Sequence, residues 1–396
     1  MPRMPEKPSL FILVALTAIG PLAVNIFLPS MPGLMQDLKT DYATVQLTLS
    51  LYLVGLAVSQ LLYGPLSDRF GRRPLILIGL SIFVTGSLIC AMAPTITVLI
   101  TGRVIQAIGG SAGVVLGRAM VRDMYDRERS ASMIAYITLS MMVAPMLAPT
   151  IGGLFDEWLG WRYSFTFVLV IGAVVAVWCL MRLAETHDAT KRQLTVGTDV
   201  RFVGLLKAPA FYCYTFQLSF SSAVYFGFLG GAPFVAINLM GLTPSTFGFY
   251  YLIVSVCYMI GNFTAARIST RVGTDPMILY GTAISLVGAW MLAVFYVSDA
   301  LTPLALFSSM GVVAIGNGMA IPNGVAGAIS VDSRQAGAAA GISGFTQIAF
   351  GAASSTLVAS LLVDSAAPLV IIMAASATIA FAIHVAGSRI VVRHRT

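Results

Sequence analysis

The sequence predicts an all-α membrane protein with twelve transmembrane helices in two pseudo-symmetric six-helix bundles. Three observations predict this fold: the composition, the spacing of the charged residues, and a loop that occurs twice. Apolar residues make up 58% of the 396 residues, and charged residues only 10%. Soluble domains carry about a quarter charged residues. So few charges cannot cover a water-facing surface, which excludes an ordinary soluble protein.

Long charge-free runs alternate with short charged loops along the chain. Residues 8–36, 42–67 and 365–388 contain no charge, and neither does the longer run 208–266. A helix needs about 20 apolar residues to cross the hydrocarbon core, and only helices or closed barrels satisfy their backbone there. The runs lack the alternation of barrel strands. We therefore predict helices near 9–31, 44–64, 75–93, 97–117, 131–154, 162–182, 209–237, 246–266, 277–297, 303–324, 338–362 and 367–387.

The basic residues predict the orientation of these helices. Of the 23 lysines and arginines, all but Lys39, Arg103 and Arg162 lie in alternate loops or at the chain ends. Because basic loops stay in the cytoplasm, both termini are expected there. The long polar segment 184–208 would then be a cytoplasmic linker. It divides the chain into an N-terminal bundle, 1–183, and a C-terminal bundle, 209–396.

One loop recurs in both halves of the chain. Residues 67–74 and 269–276 share a serine, an arginine, a glycine and a proline at a constant offset of 202 positions. Both loops follow the second helix of their half. The repeat predicts two related six-helix halves, an arrangement in which secondary transporters hold substrate near the membrane midplane.

The first of these loops and the three residues before it contain a more specific motif. Residues 64–73 read Gly-Pro-Leu-Ser-Asp-Arg-Phe-Gly-Arg-Arg, which resembles the loop signature of the major facilitator superfamily. Its glycines permit a tight turn and close helix approach. The resemblance implies a cytoplasmic latch that breaks during transport. The latch residues would be Gly64, Asp68, Arg69, Gly71, Arg72 and Arg73.

Two further motifs lie inside predicted helices. Arg103-Val-Ile-Gln106 and the glycines that follow resemble the membrane-embedded arginine motif of the superfamily. In the fifth helix, residues 144–153 resemble the motif of its drug:proton antiporters, although Ala148 replaces the usual glycine. Prolines bend a helix, and small residues let helices pack closely. The antiporter residues are Pro145, Pro149, Gly152 and Gly153.

Other segments narrow the resemblance to one branch. Residues 28–32, 231–235, 322–323 and 337–341 look like the bicyclomycin-resistance (Bcr/CflA) branch of twelve-span antiporters. That branch commonly has an aspartate where this chain has Asn25, and an amide cannot exchange a proton as a carboxylate does. No acidic residue lies deep in a predicted span. Candidates for proton coupling are therefore Arg103, Asp123 and Asp37.

The resemblance also predicts which residues line a substrate cavity. The lining helices in this superfamily are chiefly the first and fourth of each half, and polar side chains there seldom face lipid. Each candidate could instead bond one helix to another. The candidates are Asn25, Tyr52, Arg103, Gln106, Tyr136, Gln217, Tyr225, Tyr251, Asn317 and Gln347.

These features imply a secondary transporter of the bacterial inner membrane that exports small amphiphilic molecules in exchange for protons. With an arginine and no acid in the cavity, neutral or anionic substrates are expected over cations. An importer or facilitator on the same fold is the alternative. We find no catalytic cluster and no phosphate-binding loop, and the four cysteines lie in apolar runs. No enzyme activity, cofactor, metal or nucleic-acid partner is therefore expected, and the lipid-embedded chain should be a monomer.

Overall fold

The computed structural model describes residues 9–124, 127–186, 205, 208–332 and 335–395, and their regular secondary structure is entirely helical. The first half contains α1 (Leu10–Asn25), a 3₁₀ turn (Leu28–Ser30), α2 (Met31–Asp37), α3 (Tyr42–Phe70), α4 (Arg72–Ala91), α5 (Ile96–Met124), α6 (Arg127–Trp158) and α7 (Arg162–Arg182). The second half contains α8 (Pro209–Pro233), a π-helical segment (Phe234–Leu239), α9 (Pro244–Val272), α10 (Thr274–Val297), α11 (Pro303–Ser330), α12 (Ala336–Leu361) and α13 (Ala367–Arg395).

Among the described residues, eleven helical stretches are long and apolar enough to cross a membrane. The remaining predicted span, 131–154, lies within α6, many of whose side chains are outside the described part. The predicted all-α membrane fold is thus confirmed. Most of the predicted linker 184–208 also lies outside the described residues.

The starts of several helices follow directly from local sequence. Thr243 and Thr302 each precede a proline, and their hydroxyl oxygens accept hydrogen bonds from the amides of Thr246 and Ala305 at 3.3 and 3.2 Å. A threonine cap followed by proline at the first helical position satisfies amides that have no intrahelical acceptor. Asp41 caps α3 through the Thr44 amide at 2.8 Å, and this bond lowers the pKa of the Asp41 carboxyl.

The repeated loop forms the same turn in both halves. Gly71 has φ of +100° before α4, and Gly273 has φ of +93° before α10. Side chains strongly disfavour this backbone region, so the shared glycine is required by the turn. The tight turn predicted from the sequence is confirmed at Gly71, and Gly273 forms the same turn.

The first membrane-spanning stretch of each half is irregular. In the first half, α1 ends at Asn25, and the 3₁₀ turn separates it from α2. In the second half, α8 changes into the π-helical segment directly after Pro233. Proline lacks the amide that would continue the hydrogen-bond ladder. Pro29 and Pro233 therefore account for the position of each irregularity.

The chain divides into two compact units, one within residues 1–40 and 47–199, the other within 41–46 and 200–396. In the first unit, α4 packs on α5 along what we call the glycine seam, Gly79, Gly86, Gly102 and Gly109. A Cβ at Gly86 would stand 2.7 Å from the Gln106 Cα, and one at Gly102 would stand 2.8 Å from the Cys90 sulfur. Glycine thus brings the two helix backbones into direct contact.

Candidate functional site

Arg103 is fully buried in the first unit and ties four helices together. Its Nη1 donates to the Ala23 carbonyl of α1 at 3.0 Å and to Gln106 Oε1 at 2.6 Å. Its Nε donates to the Thr48 carbonyl of α3 at 3.3 Å. Gln106 Nε2 in turn donates to Ser87 Oγ of α4 at 2.8 Å. These bonds link α1, α3, α4 and α5 through two side chains, Arg103 and Gln106.

Aromatic rings complete the surroundings of Arg103. Its guanidinium carbon lies 4.3 Å from the centroid of Phe27 and 4.1 Å from that of Tyr52, with Phe165 at 5.8 Å. Ring faces attract a cation, most strongly where water is absent. Sequence reasoning identified Tyr52 but missed Phe27 and Phe165, because an aromatic residue in an apolar run carries no local signal of its role.

A second polar cluster lies in the other unit. The Asn317 amide donates to the Ser221 carbonyl at 3.0 Å, and Gln217 Nε2 donates to Ser221 Oγ at 2.9 Å. The Ser285 hydroxyl lies 3.4 Å from Asn317 Oδ1. Gln217 and Asn317 were predicted from the sequence, and the structure brings them together on α8 and α11. Ser221, which joins them, was missed.

Tyrosines form a third group beside this cluster. The hydroxyls of Tyr225 and Tyr251 are 3.1 Å apart, and the ring of Tyr258 stacks on Tyr225 with centroids separated by 6.3 Å. Tyr251 is buried, whereas Tyr225 is partly exposed. Two predicted cavity residues are therefore direct neighbours.

The other predicted cavity residues differ in their surroundings. Asn25 is buried, and its amide donates to the Pro21 carbonyl at 2.9 Å. Gln347 is partly exposed on α12, and the side chain of Tyr136 lies outside the described residues. Most of the candidates thus make hydrogen bonds within or between helices, the alternative role that the sequence left open. Their role as cavity lining remains a prediction.

The predicted latch residues form a compact polar network. Arg72 Nη1 lies 2.7 Å from Asp68 Oδ1, and Arg72 Nε donates to Asp123 Oδ2 at 3.1 Å. Arg72 also donates to the Ser67 hydroxyl. Arg73 donates to the Leu180 carbonyl at 3.0 Å. Asp123, a predicted proton-coupling candidate, is therefore an ion-paired member of the latch.

Two latch residues stand apart from this network. Arg69 stacks over the ring of Phe70 at 5.3 Å. At Gly64, nothing lies within 4 Å of the place where a Cβ would stand. No other helix therefore packs closely against Gly64 in this structure. Gly71, in contrast, forms the predicted turn.

Glu185, which follows α7, also binds the latch and was missed by sequence reasoning. Its Oε1 accepts from the Arg72 amide at 3.0 Å, and its Oε2 accepts from the Arg73 amide at 3.3 Å. Both amides belong to the first turn of α4, where an acidic group also complements the helix dipole. The two residues are 113 positions apart in sequence, so no local pattern could have indicated the contact.

We expect Glu185→Ala to destabilise the first unit by about 1 kcal/mol, the usual cost of losing a helix cap. The Glu185→Gln variant is the matched control, because it keeps one oxygen acceptor and should lose about half as much. Thermal unfolding of the purified variants in detergent measures both effects. Equal melting temperatures for Glu185→Ala and wild type would contradict the assigned role.

The antiporter-type segment of α6 packs directly against α1. Pro149, Gly152 and Gly153 are buried, and Pro145 is partly exposed. A Cβ at Gly152 would overlap the carbonyl oxygen of Ile26 and stand 2.7 Å from its carbonyl carbon. The close packing predicted for this glycine is therefore present, and its partner is the irregular end of α1.

The proton-coupling candidate Asp37 lies at the far end of α2. Its Oδ2 accepts a hydrogen bond from Trp161 Nε1 at 2.8 Å and is 3.7 Å from Arg162 Nη1. Its side chain is more than half exposed. Asp37 thus has a basic partner and contact with solvent. Among the described residues, no group of three or more histidine, cysteine or acidic side chains could hold a metal ion.

Comparison with known proteins agrees with this architecture. The family model of the Major Facilitator Superfamily matches residues 13–358. The "Bicyclomycin resistance protein homolog" of Haemophilus influenzae is 30% identical over 95% of this chain and 96% of its own length. The "Chloramphenicol resistance protein" of Pseudomonas aeruginosa is 31% identical over 77% and 73%.

Solved structures share the fold at much lower sequence identity. A nucleoside transporter superposes with a TM-score of 0.77 and 14% identity over 94% of this chain and 98% of that one. The family match spans both halves and includes the latch, the buried arginine and the antiporter-type helix. This chain belongs to the Major Facilitator Superfamily of membrane transporters.

Proposed function

We propose that this transporter exports small amphiphilic drugs or metabolites in exchange for protons, by alternating access. The contact of Gly152 with the Ile26 backbone is the observation that carries the proposal, because it gives the antiporter-type segment of α6 a direct mechanical link to α1. Relatives named for resistance to bicyclomycin and chloramphenicol support drugs as the substrate class. The basic loops favour cytoplasmic termini in the bacterial inner membrane.

The charges inside the helices support neutral or anionic substrates. Among the described residues, no aspartate or glutamate side chain is buried, whereas Arg103 is fully buried. A buried positive charge repels a permanent cation through a medium of low dielectric constant. Because Phe27, Tyr52 and Phe165 enclose Arg103, it acts on a substrate through its field rather than by contact.

Accumulation assays in efflux-deficient bacteria test the proposal. We expect cells that express the protein to accumulate less of a neutral phenicol antibiotic than control cells, and a protonophore to abolish the difference. A permanently cationic dye should be unaffected. Increased phenicol accumulation would indicate uptake instead, and a decrease that resists the protonophore would exclude proton coupling.

Two conservative variants provide matched controls for this assay. Asp68→Asn removes the 2.7 Å ion pair with Arg72 and should greatly reduce export. Asp299 lies in the loop between α10 and α11 with φ of +53°, a conformation that asparagine tolerates. Asp299→Asn should therefore export at the wild-type rate, and equal export by both variants would contradict the role of the latch.

A further inference from the structure

Asp156 occupies an unusual place at the end of α6. It lies one helical turn after Gly152, so its side chain is on the face of α6 that packs against α1. The carboxyl is partly buried, and its Oδ2 is 3.8 Å from the place where a Cβ on Gly33 of α2 would stand. The carboxyl thus sits at the junction of α6, the 3₁₀ turn and α2.

The Ser30 hydroxyl in the 3₁₀ turn approaches this carboxyl as a donor. Ser30 is completely buried, and its oxygen does not reach the geometry of a regular hydrogen bond with any described group. The contact is therefore weaker than a regular hydrogen bond. A buried hydroxyl directed at a carboxyl favours its charged form.

The charged groups around Asp156 have the opposite effect. The negative charges of Asp37 from α2 and Glu157 from α6 raise the pKa of the Asp156 carboxyl. The basic Arg162 of α7 forms an ion pair with Asp37. Neither α1 nor the 3₁₀ turn contains a charged residue. Arg103 of α5 is enclosed by its own hydrogen-bond partners. Burial first, and then the two acids, raise the pKa of Asp156 to about 6.

The other acids considered for proton coupling have different surroundings. Asp123 is held by Arg72, and Asp37 by Trp161 and Arg162. Each of them has a basic partner. Asp156 combines partial burial with acidic neighbours, the setting in which a carboxyl changes its protonation state near neutral pH.

We propose that Asp156 takes up the transported proton on the side opposite the termini and that its charge controls the packing of α6 on the broken end of α1. This inference rests on the proposed proton-driven function. Uptake forms one O–H bond on the carboxylate with a proton from water, and release breaks the same bond. The neutral acid relieves the repulsion from Asp37 and lets the last turn of α6 approach α2. The charged form of Asp156 repels Asp37 and so drives the last turn of α6 away from α2.

Infrared difference spectra of the purified protein between neutral and mildly acidic buffer test proton binding without any substrate. Wild type should show the C=O band of a protonated carboxyl with a midpoint near pH 6, and Asp156→Asn should lose it. The matched control, Asp37→Asn, should keep the band with a lower midpoint, because a repelling charge is removed. An undiminished band in Asp156→Asn would overturn the proposal.

A second variant tests the same site without removing the carboxyl. Gly33→Lys places an ammonium group beside Asp156, where a Cβ has room. An opposite charge favours the carboxylate, so the midpoint should fall well below that of wild type. An unchanged midpoint would show that the titrating group lies elsewhere and would overturn the proposal.

Phenicol export separates this inference from the proposed function. If the protonophore abolishes export by wild type but has no effect on the residual export by Asp156→Asn, Asp156 carries the coupling proton. If both proteins respond equally to the protonophore, the proposed function stands and the role of Asp156 is wrong. If the protonophore does not change export by wild type, the proposed proton-driven function is wrong. The infrared band alone then decides whether Asp156 binds a proton.

Discussion

Gly152→Ala is expected to destabilise the first unit by at least about 2 kcal/mol and to abolish export. Alanine favours a helix over glycine by about 1 kcal/mol, but overpacking typically costs about 1–3 kcal/mol and costs more where the neighbour cannot move. The neighbour here is the Ile26 carbonyl, which the added methyl group would overlap. Since a backbone group has no rotamer to change, α1 and α6 must separate.

Gly344→Ala is the matched control for this substitution. Gly344 is also helical, and nothing lies within 4 Å of a Cβ built there. Its melting temperature should equal or slightly exceed that of wild type, because only the helix propensity changes. Thermal unfolding and monodispersity in detergent provide the comparison. A Gly152→Ala protein as stable as Gly344→Ala would disprove the close contact.

Replacement of Arg103 by lysine is expected to cost at least about 3 kcal/mol, since hydrogen bonds to a charged group contribute about 1.5–3 kcal/mol each. Three acceptors bind two nitrogens of one guanidinium: Ala23 and Gln106 accept from Nη1, and Thr48 accepts from Nε. An ammonium group is a point charge and lacks the planar fork that reaches all three. Lysine therefore leaves buried carbonyl groups without a donor.

Arg162 offers a matched control on the same unit. It also donates to a backbone carbonyl, that of Ala93 at 3.1 Å, and its guanidinium carbon lies 4.2 Å from the ring of Trp161. Its side chain is 45% exposed, so water can replace lost bonds. Arg162→Lys should cost under about 1 kcal/mol. Similar melting temperatures for Arg103→Lys and Arg162→Lys would show that the burial of Arg103 does not increase its contribution to stability.

The sequence was sufficient for the spans and for the turns between them. Charge-free runs locate apolar helices, and the glycine of the repeated loop predicts a turn because its backbone requirement is local. Helix ends were less accurate. The helix predicted at 44–64 extends over Tyr42–Phe70 in the structure. Hydropathy detects only the apolar part of a helix, whereas its backbone hydrogen bonds continue beyond that part into water.

The partners of the site residues were harder to predict, because contacts between distant segments depend on how helices pack. Glu185 gives no local sign that it caps α4. Asp37 and Asp156 are both predicted to lie outside the membrane at the same end of the helices, and the structure distinguishes them by burial and by the Arg162 partner of Asp37. One signal was available in retrospect: Gly152 was predicted to face another helix, and Asp156 lies one turn further on that face.

The glycine seam between α4 and α5 also limits the routes by which a compound can enter from the bilayer. Amphiphilic molecules concentrate among lipid tails, and gaps between helices would offer them a lateral entrance. At Gly86 and Gly102 the backbones of α4 and α5 are in contact, with a Cβ at Gly86 only 2.9 Å from the Gly102 carbonyl oxygen. Neither an acyl chain nor a planar drug fits there, so the space between α4 and α5 offers no lateral entrance at these glycines.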